Sequence, residues 1–73
     1  MHFKKFEATH NGLKFIIEED LPGVGVSLLI YSGDNCTHDY LQDTIDMCKL
    51  FALEDYEVPE NSWKRIDIER PPL

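Results

Sequence analysis

Polar and apolar positions alternate with a period of two in the first third of the chain. In Leu13-Lys14-Phe15-Ile16-Ile17-Glu18, Leu13, Phe15 and Ile17 share one face while Lys14, Ile16 and Glu18 share the other, the pattern of a half-buried strand. Residues 3–9 form a second candidate strand. Asn11-Gly12 between the two is the dipeptide of a type I′ turn, in which both central residues take positive φ. An N-terminal hairpin is therefore predicted.

Asp20-Leu21-Pro22-Gly23 reads as a turn, with proline fixing φ and glycine accepting φ > 0. A third strand follows over residues 24–31, with Val24, Val26, Leu28 and Ile30 on one face and Gly25, Ser27, Leu29 and Tyr31 on the other. Ser32-Gly33-Asp34-Asn35 closes it and offers helix caps, with Thr37 a further candidate. From about residue 37 to 55 the period becomes helical. Leu41, Thr44, Ile45, Cys48, Phe51 and Ala52 make one stripe, and Asp39, Gln42, Asp43, Asp46 and Lys49 fall opposite. Pro59 blocks any continuation, residues 63–68 read as a last strand, and Pro71-Pro72 ends it.

The expected fold is α+β, a single domain over residues 1–73, with strand order β-β-β-α-β along the chain. The sheet has about four strands, mixed or antiparallel, and one helix on one face. A last strand parallel to the third would require a right-handed crossover through the helix. The uncovered face, with Ile16, Leu29, Tyr31 and one side of the last strand, offers a place for a dimer or partner contact.

Composition narrows the class. Seventy-three residues with 42% hydrophobic content and 11% aromatics specify a folded domain with a thin core, which a disulfide, a metal or a partner normally supports. On the expected helix Cys36 and Cys48 lie about 18 Å apart, beyond the roughly 7 Å that a disulfide tolerates. Two unbridged thiols fit a reducing compartment. The longest apolar run, residues 24–31, is too short to span a bilayer, and no apolar run of signal-peptide length follows the N-terminal charges. A soluble, cytoplasmic protein with no membrane contact is expected.

Chemistry-bearing residues are sparse. Zinc would draw on His2, His10, Cys36, His38 and Cys48, but Cys36-Thr37-His38 has a single intervening residue and no Cys-x-x-Cys pair exists. His38-Asp39 places a base beside a carboxylate, yet adjacent helical residues diverge by about 100° and do not orient one another. Pro22-Gly23-Val24-Gly25 precedes a strand, whereas phosphate loops follow a strand and open a helix. The expectation is no enzyme, no cofactor and no metal.

Charge is the informative property. Residues 18–60 hold eleven carboxylates and a single base, Lys49, a net of −10 within a chain of net charge −7. Such a field repels nucleic acid and steers a basic partner. Asp39 and Asp43 fall in the first turns of the expected helix, where the macrodipole favours a negative charge by about 0.3 to 1 kcal/mol. Asp46 can pair with Lys49 at i+3. Glu54, Asp55 and Glu57 sit at the wrong end of the helix, and Glu60 follows them. Glu54, Asp55, Glu57, Glu60 and Trp63 are therefore the candidate partner-binding residues, with Trp63 either a core plug or an exposed anchor.

Thr37-His38-Asp39-Tyr40-Leu41-Gln42-Asp43-Thr44 and Tyr56-Glu57-Val58-Pro59-Glu60-Asn61-Ser62-Trp63 resemble pieces of small acidic bacterial immunity-type proteins that neutralise a cognate toxin. The resemblance implies a non-catalytic inhibitor whose acidic surface fills the basic cleft of a nuclease-like toxin. The alternatives are a structural or regulatory homodimer formed through the open sheet face, and a small metal- or Cys/His-dependent enzyme around Cys36 and His38.

Overall fold

Asn11 and Gly12 take φ of 50° and 77°, and the turn they make joins two strands as the dipeptide predicts. The computed structural model describes residues 3–21 and 23–67. Strands β1 (Lys5–His10) and β2 (Leu13–Glu19) pair antiparallel in a register running from His10↔Leu13 to Lys5↔Glu18. Strand β3 (Val26–Ser32) pairs antiparallel with β2. It begins two residues later than the apolar run suggests. Gly25 explains the delay: its φ is 113°, and a Cβ there would lie 2.7 Å from the Gln42 carbonyl oxygen. Pro22, assigned to the preceding turn, lies outside the described residues.

The main departure from expectation comes next. Residues 35–42 form a strand, β4 (Asn35–Gln42), paired antiparallel with β3, where the sequence suggested the first half of a helix. Gly33 and Asp34 are the two central residues of a hairpin turn between Ser32 and Asn35, with Gly33 at φ 61°. A glycine in the first central position is what a type II′ hairpin turn requires. A register shift follows at Ile30/Tyr31, where β4 carries one extra residue, and the Thr37 hydroxyl there donates to the Ile30 carbonyl at 3.2 Å. Cys36 thus lies on an edge strand and Cys48 on a helix. The helical spacing inferred for the two cysteines does not apply, although both thiols are free.

The α-helix, α1 (Ile45–Tyr56), starts eight residues later than the predicted onset. Thr44, expected on the apolar stripe, is its N-cap, and its hydroxyl oxygen accepts from the Met47 amide at 3.1 Å. A 3₁₀ turn (Glu60–Ser62) leads to β5 (Lys64–Arg65), which pairs antiparallel with β1. The last strand is two residues long rather than residues 63–68; Ile68 and Pro71-Pro72 lie outside the described residues. Sheet order is β4-β3-β2-β1-β5 with every pair antiparallel, so no parallel pairing occurs among the described strands. The α+β class holds, with five strands and one α-helix among the described residues. That helix carries the chain from one sheet edge towards the other.

The core lies between helix and sheet. Ala8, Phe15, Ile17, Val26, Leu28 and Ile30 supply the sheet side, Cys48 and Ala52 the helix side, and Val58 closes one end. Burial pushes the Cys48 thiol up to about 11, so it behaves there as a small apolar side chain. On the opposite sheet face Ile16 is only 8% exposed. That face carries ion pairs between Lys5 and Glu18 (3.0 Å) and between Lys14 and Glu7 (3.8 Å). No described helix is long and apolar enough to cross a membrane.

Candidate functional site

A helix resting on a sheet needs one apolar stripe, and α1 has two apolar rows. Cys48 and Ala52 are fully buried, with Ile45 and Phe51 packed beside them. At about 100° per residue, Leu50 and Leu53 point roughly 160° and 140° away from Cys48. They lie on the solvent side. Met47, Leu50 and Leu53 are 44%, 52% and 43% exposed. A helix apolar around most of its circumference is normally covered on more than one side. The row is absent from the expected stripe, whose period fits the buried face alone; the i, i+3, i+6 spacing of Met47, Leu50 and Leu53 is its signal in the sequence.

Two shallow grooves flank Leu50. One, of about 270 Å³, is lined by Asp46, Lys49, Leu50, Leu53 and Glu60. The other, of about 230 Å³, is lined by Gln42, Met47, Leu50, Phe51, Glu54 and Asp55. Four of the five candidate residues from the sequence thus lie on or beside this surface, and three of them line the grooves. Lys49 does not form the expected ion pair with Asp46; its ammonium sits 4.7 Å above the Phe6 ring. Asp46 gains instead from its place in the first helical turn.

The acids at the far end of α1 have no such local reward. The last turn contains no base, so Glu54 and Asp55 face the negative end of the macrodipole uncompensated. Glu57 ends the helix in the left-handed region at φ 60°, a place that favours glycine. The Val58 amide bonds to the Ala52 carbonyl at 3.1 Å and the Val58 side chain is fully buried, which fixes the cap. Asp39 and Asp43 lose their expected explanation. Asp39 lies on exposed β4 opposite Leu29, and Asp43 precedes the N-cap.

Trp63 stands apart from this surface. It is half-buried and meets Phe15 edge-on at 6.5 Å between ring centroids, packed against the core. Its indole Nε1 is buried with no hydrogen-bond partner among the described residues. Phe15 also meets Tyr56 edge-on at 5.5 Å, and Tyr56 belongs to an aromatic chain in which Tyr40 lies 4.6 Å from Phe51 and the Tyr40 and Tyr56 hydroxyls are 3.3 Å apart. The hydrogen bond with Tyr40, then burial and the neighbouring Asp55 charge, push the Tyr56 hydroxyl up to about 12. His38 stacks on Tyr40 at 5.7 Å, and its Nδ1 lies 3.1 Å from the Thr37 hydroxyl. Among the described residues no three His, Cys, Asp or Glu side chains converge on a point that could hold a metal ion.

Fold and surface together define a small α+β domain with an acidic, partly apolar outer helix face. No protein family, curated protein or solved structure matches the chain.

Proposed function

We propose that this chain is a small acidic protein-binding module, acting in the manner of an immunity-type inhibitor on a protein with a basic, nuclease-like surface. The observation that carries the reading is the end of α1. Glu54, Asp55 and Glu57 oppose the helix dipole, and Glu57 also occupies a left-handed position, beside leucines that face water. Breaches of local helix rules clustered at one surface fit a site kept for an external contact. Carboxylates steer the encounter, and Met47, Leu50 and Leu53 supply the desolvated contact that sets dissociation. Trp63, already packed on Phe15, contributes by holding the segment after Glu60 against the core. A reducing, cytoplasmic setting accords with two free thiols.

Homodimerisation through the open sheet face has less behind it, because Ile16 there is already buried and the same face carries two ion pairs of the chain's own.

Capture from native-cell extract tests the reading. Wild-type protein should retain a basic protein that a Glu54→Lys, Asp55→Lys, Glu57→Lys variant releases. Equal capture of the same proteins by both would refute it.

A further inference from the structure

We infer that the occupant of the outer face of α1 is a basic amphipathic helix of the partner protein, an inference that rests on the protein-binding reading above. Mid-helix backbone groups of α1 are consumed by its own i→i−4 bonds, so this surface offers no donors or acceptors to an extended strand. A segment buried here must satisfy its own backbone. A helix does so.

Shape agrees. Leu50 forms a ridge with a groove on either side, the relief into which ridges of a second helix pack. Charge selects the sign. Asp46 and Glu60 border one groove, Glu54 and Asp55 the other, and Lys49 is the one base lining them. An apolar stripe flanked by Lys or Arg complements this arrangement. A second copy of this chain, at net charge −7, would be repelled by it.

The probe is a synthetic leucine/lysine peptide of about 14 residues, close to the length of α1 and marginal as an isolated helix. Its control is an isomer of the same composition whose order has no helical period. The amphipathic peptide should bind at least about tenfold more tightly than the isomer. It should also gain helical circular dichroism and shift amide resonances of residues 46–57. Leu50→Asp, a change at an exposed position, should weaken binding at least about tenfold with the remaining amide spectrum unchanged. Equal binding of both peptides would overturn the helical occupant and leave acidic steering standing. Shifts centred on Ile16 and Leu29 would overturn the location. Failure of both peptides to bind would overturn the occupant and acidic steering together.

Discussion

The amide of Glu57 donates to the carbonyl of Leu53 at 3.0 Å, which ties the left-handed residue ending α1 to a leucine that faces solvent. The same bond fixes a carboxylate-bearing residue at the negative end of the helix dipole. The terminal carboxylate and the outward leucine are therefore mechanically linked.

Glu57→Gly should stabilise the fold by about 1 kcal/mol, because it removes the left-handed Cβ clash and an unfavourable terminal charge. For a domain of this size that is a rise in Tm of about 4–8 °C. The same variant should associate more slowly with the captured partner. Thermal denaturation together with binding kinetics checks both halves; a lower Tm would contradict the cap assignment.

Leucines of the same chain should separate sharply by face. Leu28→Ala, which empties a fully buried site, should cost about 2–5 kcal/mol. Leu50→Ala, on the outer row, should stay within about 0.5 kcal/mol of wild type. Urea midpoints distinguish them, and a large loss at Leu50 would show that its side chain serves the fold.

Thr44→Ala removes the hydroxyl that accepts from the Met47 amide and should cost about 1 kcal/mol. Chemical denaturation measures it. An effect indistinguishable from zero would contradict a helix beginning at Ile45.

Legibility in the sequence followed the hydrophobic pattern closely and failed where that pattern was weak. Asn11-Gly12 between two alternating runs specified the first hairpin, and Phe15, Ile17, Val26, Leu28 and Ile30 are buried on the faces the alternation assigns them, whereas Val24, assigned to the same face, precedes β3 and is exposed. β4 was misread because Asn35 to Asp39 are all exposed and leave no apolar alternation to detect. Gly33-Asp34 was the missed hairpin signal; it looked equally like the approach to a helix cap. Residues 37–44 thereby fall into an expected helix that in the structure begins at Ile45, and Leu41 and Thr44 into its stripe. The acidic residues of the candidate site were legible from charge against helix polarity. Its apolar half was not, because one satisfactory stripe had already been found.

Alkaline stability should report on Cys48. Its folded thiol is raised from 9.0 to about 11, so unfolding exposes a group that ionises more readily than the folded one. That stabilisation is complete below pH 9 and is lost as pH rises from 9 to 11, a change on the order of 2–3 kcal/mol across the window. Tyr56, raised to about 12, adds a fall of the same sign above pH 10. Cys48→Ala should flatten the decline in urea midpoint between pH 9 and 10. An unchanged decline would contradict the role given to this thiol.

The association rate with the captured basic partner, followed by stopped flow from low to moderate salt, tests the central claim most directly. Wild-type protein should associate fastest at low salt and slow steeply as salt rises. The Glu54→Lys, Asp55→Lys, Glu57→Lys variant should be slow at every salt concentration, with a nearly flat dependence and an unchanged fold. Superimposable rates and salt slopes for the two proteins would contradict the account.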